Sequence, residues 1–421
     1  MNVLIHTFGC KANQYDSELI RQALADAGVT VVEDPEEADG AVVNSCTVTQ
    51  NGEAKMRGFV RGIARKRPGI RTVVMGCAAA VDNGSIAALP NVIKVIPNSD
   101  PAAVLRAFDL DGDAATPLLR SFARGSRAWL RIQDGCDEHC TFCATTIARG
   151  TSRSKPVETM VEEATLLAQS HAEIVLVGVH IGSYGRDLAR PSTLSGLVCA
   201  LTDRIPDVRF RLSSIEATEV DDSLFDAFRE RQGRLAPHLH APLQSGSDRI
   251  LKLMGRHWYN SAEYIAAVET LKELLPVLGL GADVMVGFPG ETEQDFQETV
   301  DLIQRLPFTY LHVFPYSERP GTVARRTAPP VRSDVVAHRS KKLRELAAAK
   351  KREYLLQRDG TEADVVLTAR GFGRLQGVTE DYLTVDVEST SDPMQRFQAT
   401  LSFDGDRVVA VPAALEIALA R

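Results

Sequence analysis

Three cysteines with the spacing of cluster ligands lie near the middle of the chain. Cys136, Cys140 and Cys143, here called the central cysteines, are close enough in sequence for one tight loop to offer three thiolates to one cluster. A 4Fe-4S cluster normally takes four cysteines. Three ligands therefore leave one iron open, much as a catalytic zinc site keeps one position open. The spacing predicts a reactive iron–sulfur centre. A zinc knuckle with His139 as a further ligand and a disulfide pair are the alternatives.

A second set of three cysteines lies in the first part of the chain. Cys10, Cys46 and Cys77, here called the N-terminal cysteines, each stand just past the end of a predicted strand, at residues 3–7, 41–44 and 72–75. Loops that follow parallel strands share one edge of the sheet, where ligands bind. We therefore expect these three thiols to converge. Three unrelated core residues are the alternative, because free cysteine is commonly buried.

The segments that must position these cysteines predict an α/β fold. The first part of the chain alternates apolar strands with helices such as residues 16–27, which Gly28 ends. Further along, strands alternating with helical stretches predict a central partial (β/α)6 barrel, in which chemistry takes place on the loops after the strands. The six strands are residues 128–132, 173–177, 208–212, 237–241, 281–286 and 310–314.

The remaining segments predict three domains. The polar stretch 109–127 predicts a linker, and residues 331–358 predict a long basic helix that ends before Gly360. Short alternating strands from residue 362 onward predict a small C-terminal β-barrel, an architecture common among nucleic-acid-binding proteins. A purely structural barrel is the alternative. The predicted domains are residues 1–118, 119–358 and 359–421.

Length and composition are those of an ordinary globular protein of 421 residues, 44% of them hydrophobic. Seven cysteines, an odd number, argue against a secreted disulfide scaffold. The first apolar segment is too short for a targeting or membrane segment, so we expect a cytoplasmic protein with no membrane partner. The net charge of −7 does not indicate a nucleic-acid-binding protein, so any RNA contact must come from local basic patches.

Several ordered motifs resemble those of the radical S-adenosylmethionine (SAM) enzymes and, among these, of the methylthiotransferases. The resemblance covers essentially the whole chain and implies an N-terminal methylthiotransferase domain, a radical SAM barrel and a C-terminal TRAM domain. The spacing of the central cysteines is the first motif. The others are residues 7–18, 44–49, 76–77, 133–136, 148–150 with 152–154, 242–247, 283–292, and 314–317 with 319–322.

The resemblance implies two 4Fe-4S clusters and SAM as cofactors. The central cysteines would hold the radical-generating cluster, and the N-terminal cysteines an auxiliary cluster that carries or delivers sulfur. One SAM molecule would be cleaved to a 5′-deoxyadenosyl radical, and another would donate a methyl group to sulfur. An electron donor such as flavodoxin or ferredoxin is also implied. The remaining cysteine, Cys199, lies in an apolar helical stretch and is predicted to be a core residue.

The resemblance also implies contacts to SAM. Arg153 would pair with its carboxylate, for which a guanidinium group is well suited. Gly178 would admit its amino group, and Glu216 or Gln244 would bind the ribose or adenine. A solvated surface charge is the alternative for Arg153, and a helix-start carboxylate for Glu216. The chain departs from many relatives at residues 144–146, Ala-Thr-Thr, where they have two aliphatic residues and a proline.

The stretch 9–16 is most similar to enzymes that methylthiolate N6-threonylcarbamoyladenosine (t6A37) beside the tRNA anticodon, at carbon 2 of the adenine. This similarity implies the tRNA anticodon stem-loop as the partner. Basic runs within 55–67 and 341–352 are suited to phosphate contacts, although such runs are often only solvated faces. Isopentenyl-adenosine in tRNA and a ribosomal-protein aspartate are alternative substrates. A non-enzymatic iron–sulfur RNA-binding protein is an alternative of a different class.

Overall fold

The computed structural model describes residues 1–111, 118–123, 125–371, 374–388 and 396–412. The chain divides into two compact units, which are treated separately below. Among the described helices, we find none with the length and apolar character that a bilayer crossing requires. The first unit consists of Met1–Ser121, Gln133–Arg153 and Ser317–Val323, and the second of Phe122–Ile132, Ser154–Tyr316 and Ala324–Arg421.

A five-stranded parallel sheet forms the centre of the first unit, in the order β2-β1-β3-β4-β5. Its strands are β1 (Asn2–Thr7), β2 (Thr30–Val32), β3 (Gly40–Ser45), β4 (Arg71–Gly76) and β5 (Val92–Pro97). Neighbouring residues of β3 point to opposite faces, so that Val42 and Val43 enter two separate apolar clusters. Both faces are therefore buried, as the continuous apolar runs predict.

Helices cover both faces of this sheet. The helices of the first unit are α1 (Lys11–Asp26), α2 (Gln50–Lys66), α3 (Cys77–Ala80), α4 (Pro101–Ala107) and α5 (Thr145–Arg149). Helices α1 and α4 contribute to the cluster around Val42, and α2 contributes to the cluster around Val43. Thr49 caps α2, because its hydroxyl accepts the amide of Gly52 over 3.1 Å. Two short strands complete the segment that carries the central cysteines, β7 (Gln133–Asp134) and β8 (Arg153–Ser154).

Six parallel strands follow one another in chain order in the second unit. They are β6 (Arg127–Arg131), β9 (Glu173–Val177), β10 (Arg209–Leu212), β11 (His238–His240), β12 (Gly279–Val286) and β13 (Tyr310–Pro315). They form two three-stranded sheets, and parallel bridges from Phe210 to Leu235 and from Ser214 to His240 join these sheets between β10 and β11. This order confirms the predicted partial (β/α)6 barrel.

Helices lie between all successive strands of this series. They are α6 (Val157–Ala168), α7 (Leu194–Arg204), α8 (Asp222–Glu230), α9 (Asp248–Leu253), α10 (Ser261–Leu274) and α11 (Glu293–Arg305), followed by the long α12 (Ser333–Arg358). Short 3-10 helices cover Pro35–Glu37, Ile181–Ser183, Ala217–Glu219 and Ala324–Arg326. Cys199 lies on α7 and is half-buried, so it is less enclosed than the predicted core position.

A small closed barrel ends the second unit, with the strand order β14-β15-β16-β18-β17. Its strands are β14 (Glu362–Gly371), β15 (Arg374–Thr379), β16 (Thr384–Val387), β17 (Arg396–Phe403) and β18 (Val408–Pro412). Alternate side chains such as Val365, Val385 and Leu401 fill its interior. The all-β prediction for this segment is therefore confirmed.

A buried carboxylate ties the two barrels of the second unit together. Glu173 on β9 pairs with Arg127 and Arg209 over 2.6 Å each and with Arg211 over 2.7 Å. Arg211 also donates to the backbone carbonyl of Thr379 in the small barrel over 2.9 Å. Burial alone would raise the pKa of Glu173, but the three guanidinium groups hold it well below its usual range. This charge is tolerated because it is fully paired.

Candidate functional site

The N-terminal cysteines lie where the sequence predicts them, after the ends of three parallel strands. Cys10 follows β1 and precedes α1, Cys46 follows β3, and Cys77 follows β4 and begins α3. Gly9 brings the first of these loops against the second, because its φ is +112° and a Cβ there would lie 2.9 Å from the Cβ of Cys46. Only glycine accommodates both constraints. The strand edge therefore gathers this set in one region.

The side chain of Asn13 lies between two of these thiols. Its Oδ1 accepts from Sγ of Cys10 over 3.3 Å and from Sγ of Cys77 over 4.0 Å. Its amide nitrogen donates to Oδ1 of Asn44 over 2.8 Å and to the carbonyl of Ser45 over 3.0 Å. Asn13 is 1% exposed, so these bonds fix its orientation. The two thiols thus meet at a single oxygen atom.

The central cysteines lie on one loop that closes on itself. The amide of Cys136 donates to the carbonyl of Gly150 over 3.0 Å, and the amide of Cys143 donates to the carbonyl of Cys140 over 3.1 Å. The sulfur atoms of Cys136 and Cys143 each accept the amide two residues ahead over 3.4 Å. Hydrogen bonds to ligand sulfurs tune iron–sulfur clusters, so this loop suits such a cluster. All seven cysteines of the chain lie in the described residues, and each is a free thiol.

Arg149, the last residue of α5, links the segment that carries the central cysteines to Cys77 within the first unit. Its Nε donates to Sγ of Cys77 over 3.2 Å. Its Nη1 donates to Asp134 and its Nη2 to Asp16, both over 2.9 Å. Burial alone would lower the pKa of Arg149, but the neighbouring carboxylates and thiols raise it, so the group stays charged. The sequence alone does not indicate this role of Arg149; its one sequence signal is its position in the motif 148–150.

Burial and nearby cations shift the pKa values of two of the N-terminal cysteines in opposite directions. Burial raises the pKa of Cys77 to about 11, although Arg149 lowers it in part. Burial likewise raises the pKa of Cys46, while the amide of Val48 and the charges of Arg319 and Arg149 oppose the rise. Metals bind the thiolate form. The two arginines therefore favour the form of these cysteines that ligates metal.

Three predicted SAM contacts lie after successive strands of the second unit. Gly178 follows β9, Glu216 follows β10 and Gln244 follows β11. Oε2 of Glu216 and Oε1 of Gln244 are buried, and neither atom has a hydrogen-bond partner among the described residues. Leaving a buried acceptor unpaired is unfavourable. These two oxygens therefore suit the hydroxyl and amino donors of a ligand such as SAM.

Arg256 orients the carboxylate of Glu216. Its Nη2 bonds to Oε1 of Glu216, and its Nε donates to the Tyr259 hydroxyl over 3.1 Å. That hydroxyl donates to the carbonyl of Leu243 over 3.0 Å. Burial raises the pKa of Glu216, and the charge of Arg256 opposes the rise. Arg256 thus holds Oε1 of Glu216, and Oε2 is left for a ligand. The Glu216 side chain does not cap the short helix Ala217–Glu219 that follows.

The fourth predicted SAM contact, Arg153, belongs to the first unit, whereas the other three belong to the second. Its side chain is 56% exposed and lies 3.6 Å from the carboxylate of Asp134. It also donates to the carbonyl of Arg149 over 3.0 Å. Arg153 is therefore an exposed cation close to Asp134, in the segment that carries the central cysteines.

Comparison with known protein families gives two matches. Residues 2–97 match the group described as Uncharacterized protein family UPF0004. Residues 130–303 match the Radical SAM superfamily. The first match contains the N-terminal cysteines, and the second contains the central cysteines. Each cysteine set therefore lies within its own family match.

Solved structures with the same fold include two radical SAM enzymes. The methyltransferase TsrM from Kitasatospora setae aligns with a TM-score of 0.55 and 13% identity, over 75% of this chain and 72% of that one. The cobalamin-dependent enzyme OxsB aligns with a TM-score of 0.52 and 10% identity, over 83% of this chain and 56% of that one. At such low identity, these likenesses concern the fold alone.

Relatives found by sequence comparison share more identical residues with this chain than these solved structures do. The threonylcarbamoyladenosine tRNA methylthiotransferase MtaB of Bacillus subtilis (strain 168) is 34% identical over 93% of this chain and 91% of its own length. The protein of the same name from Thermotoga maritima is 38% identical over 77% of this chain and 76% of its own length. The tRNA-2-methylthio-N(6)-dimethylallyladenosine synthase of Acetivibrio thermocellus is 31% identical over 81% of this chain and 75% of its own length. These matches confirm the resemblance found from the sequence motifs. The chain belongs to the radical SAM methylthiotransferase family.

Proposed function

We propose that this protein is a tRNA methylthiotransferase that adds a methylthio group to carbon 2 of t6A37 beside the anticodon, with SAM as methyl donor and radical source. The observation that carries the proposal is the contact of Arg149 with Cys77, which links the segment of the central cysteines to one of the N-terminal cysteines within one compact unit. The choice of substrate is supported by the names of the relatives from B. subtilis and T. maritima and by the motif in residues 9–16.

Each cysteine set has a separate task in this proposal. The central cysteines hold the radical-generating 4Fe-4S cluster, and the N-terminal cysteines hold the auxiliary cluster that provides sulfur. General acid–base catalysis alone cannot replace hydrogen on an unactivated carbon, so the bound clusters and SAM supply the radical, the sulfur and the methyl group. The protein contributes position and charge. Asn13 and Arg149 fix the thiols of Cys10 and Cys77, and Arg149 adds a positive charge beside them.

SAM is held by residues that the family pattern assigns. Gly178, directly after β9, is assigned to the amino group of SAM. The unpaired oxygens of Glu216 and Gln244 accept hydrogen bonds from the ribose or adenine. For Arg153, which belongs to the first unit, the family pattern implies a pair with the SAM carboxylate through its guanidinium group. Its side chain is 56% exposed. No side chain other than the cluster ligands is assigned a catalytic role.

Binding of the tRNA anticodon stem-loop is assigned to local basic surfaces, since the net charge is −7. In the first unit, Lys55, Arg61, Arg65 and Lys66 are exposed along α2. In the second, α12 carries several exposed cations. Such side chains bind phosphates without reading sequence. Chemistry on a base of a loop also requires that the base be turned out of its stack.

The three sequence-predicted domains divide this work. Residues 1–118 carry the auxiliary cluster, residues 119–358 carry the radical cluster and SAM, and the TRAM-like barrel in residues 359–421 contributes to RNA binding. We place the reaction in the cytoplasm, with an electron donor such as flavodoxin or ferredoxin. The odd number of cysteines and the absence of disulfides among the described residues suit a reducing compartment.

An anaerobic assay tests the proposal. Protein reconstituted with iron and sulfide is incubated with SAM, reductant and an anticodon stem-loop that carries t6A, and in parallel with one that carries isopentenyl-adenosine. We expect iron for two clusters, formation of 5′-deoxyadenosine and a methylthio group on the t6A RNA alone. Iron for one cluster, or RNA binding without SAM turnover, contradicts the proposed activity. Modification of the isopentenyl-adenosine RNA instead contradicts the proposed substrate.

A further inference from the structure

Two histidines and an aspartate meet on three neighbouring strands of the second unit. His240 ends β11, Asp283 lies on β12 and His312 lies on β13. We propose that these side chains form a binding site for one divalent transition-metal ion, in which none of the cysteines takes part. The proposal goes beyond the methylthiotransferase function and does not depend on which substrate that function uses.

The strand register places the three side chains on one face of the sheet. Asp283 is the direct partner of His312, and His240 is the partner of Gly281, two residues before Asp283. Because side chains alternate between faces with a period of two, Gly281 and Asp283 point to the same side, and so do their partners. The convergence is therefore built into the strand pairing and does not depend on a loop.

The distances between the donor atoms are short. Nε2 of His240 lies 3.2 Å from Oδ1 of Asp283, and Nδ1 of His312 lies 3.1 Å from the same oxygen. One donor atom from each of the three residues lies within 4.8 Å of the others. An ion placed among these atoms would thus have two imidazole nitrogens and one carboxylate oxygen as ligands.

A neighbouring hydroxyl orients His240. Nδ1 of His240 lies 3.0 Å from the hydroxyl of Tyr310, which lies 2.9 Å from Nε2 of His238. The ring of Tyr310 occupies the space over Gly281, where a Cβ would lie 1.9 Å from its Cζ. Metal-binding histidines characteristically bond through their other nitrogen to such a partner, which fixes the ring and the tautomer. The Tyr310 hydroxyl fills this role and leaves Nε2 of His240 facing Asp283.

The ligand set and its exposure indicate the kind of ion. Two histidines and one carboxylate, with further positions open, occur at catalytic zinc and non-haem iron sites. Exposure of the side chains rises from 9% for His240 through 27% for Asp283 to 61% for His312. One side of the cluster is thus enclosed by the sheet and the other is open, so water or a substrate oxygen can complete the coordination. Zn²⁺, Fe²⁺ and Mn²⁺ share the required chemistry.

Manganese is the probe for the test, because it has little affinity for the soft thiolate sites. The full chain with both clusters reconstituted is freed of loose metal and titrated with Mn²⁺, while electron paramagnetic resonance follows the signal of the free ion. We expect one equivalent to bind, with nitrogen couplings from imidazole in the pulsed spectrum. Zn²⁺ should displace it. Asp283→Asn and His312→Ala should each weaken binding more than about tenfold, since even outer-shell changes weaken metal sites to that extent.

Two controls separate loss of the site from loss of the fold. His338→Ala removes an exposed histidine of α12 and should bind Mn²⁺ as the unaltered chain does. His312 is mostly exposed, so His312→Ala should keep the iron content and the melting temperature. The proposal is overturned if the unaltered chain binds Mn²⁺ no better than Asp283→Asn does, or if the bound ion shows no imidazole coupling. In either case the three side chains form only a hydrogen-bonded network.

Discussion

Arg149 donates its Nε–H to the sulfur of Cys77 over 3.2 Å, across 72 positions of sequence. The same guanidinium binds Asp16 and Asp134 through its other two nitrogens. Its side chain is 2% exposed, and that of Asp16 is fully buried. Since a buried charge that loses its partners is strongly unfavourable, Arg149 cannot leave this position easily. It therefore fixes the arrangement of the central cysteine segment against one of the N-terminal cysteines.

Replacement of Arg149 by glutamine should destabilise the first unit. Asp16 would remain buried without its cationic partner, which corresponds to a loss of about 3–5 kcal/mol. Calorimetry of the full chain should show a lower melting temperature for this unit. The matched control is Arg153→Gln, because Arg153 is 56% exposed and its pair with Asp134 is long; it should change stability by less than about 1 kcal/mol. Equal melting temperatures for the two variants would contradict the role given to Arg149.

The auxiliary cluster should also respond to Arg149. Hydrogen bonds and positive charge at a ligand sulfur raise the reduction potential of a cluster. Arg149→Lys keeps the charge but loses the three-way fork, and we expect the potential of the cluster at Cys77 to fall. A redox titration followed by electron paramagnetic resonance measures it. A shift confined to the cluster of the central cysteines would contradict the assignment.

The two cysteine sets should lose iron independently. Alanine at Cys136, Cys140 and Cys143 together should remove about half of the iron, since each cluster takes its own cysteines, and should abolish 5′-deoxyadenosine formation. Alanine at the N-terminal cysteines should also remove half of the iron but leave that formation in place. Iron analysis and chromatography of the nucleoside products give both readouts. Loss of all iron from either variant would show that the sets do not act separately.

Shortening Gln244 should weaken SAM binding. Its Oε1 is buried and without a partner among the described residues, and its φ is +60°. Asparagine tolerates that backbone conformation but withdraws the oxygen by one methylene. Loss of one hydrogen bond of about 1–1.5 kcal/mol should raise the dissociation constant about tenfold. Equilibrium dialysis of the reconstituted enzyme measures it, with Gln294→Asn, at an exposed position of α11, as the control. An unchanged constant would remove Gln244 from the SAM site.

Glu173 should make stability depend on pH. Its pKa in the folded chain is well below its usual value, so the unfolded chain takes up a proton first as the pH falls. Glu173→Gln should therefore cost about 3–5 kcal/mol at neutral pH. The difference in the free energy of unfolding between Glu173→Gln and the unaltered chain should shrink below a pH of about 4.3, the usual pKa of an unfolded glutamate.

Urea unfolding of the cluster-free chain across this pH range measures the effect of Glu173. The control is Glu230→Gln, because the Glu230 side chain is 60% exposed; it should change little at any pH. If the difference for Glu173→Gln instead grows as the pH falls, the ionised state assigned to Glu173 is wrong.

Local sequence signals predicted the framework of the site. Cys10, Cys46 and Cys77 follow strand ends because apolar runs mark the strands directly, and the six barrel strands begin or end within two residues of their predicted bounds. The helix predicted over 16–27 begins earlier, at Lys11. The reason is that Cys10 precedes it without a capping hydrogen bond, so the usual Ser, Thr, Asp or Asn start signal is missing.

Contacts between distant segments could not be predicted in the same way. Arg149 and Asp16 are 133 residues apart, and no periodicity relates them. The cluster of His240, Asp283 and His312 depends on the register of three strands, which a single sequence does not specify. Strand β5 was also missed, because several of its residues are exposed and it lacks the continuous apolar run of a central strand.

The most direct test of the proposed function is mass spectrometry of the nucleosides in bulk tRNA from the organism with and without this gene. We predict that the deletion strain lacks methylthio-threonylcarbamoyladenosine and accumulates t6A. The intact gene should restore the product, and genes encoding Cys77→Ala or Cys140→Ala should not. An unchanged nucleoside profile in the deletion strain, with methylthio-aspartate missing from a ribosomal protein or no methylthio product missing at all, would contradict the account.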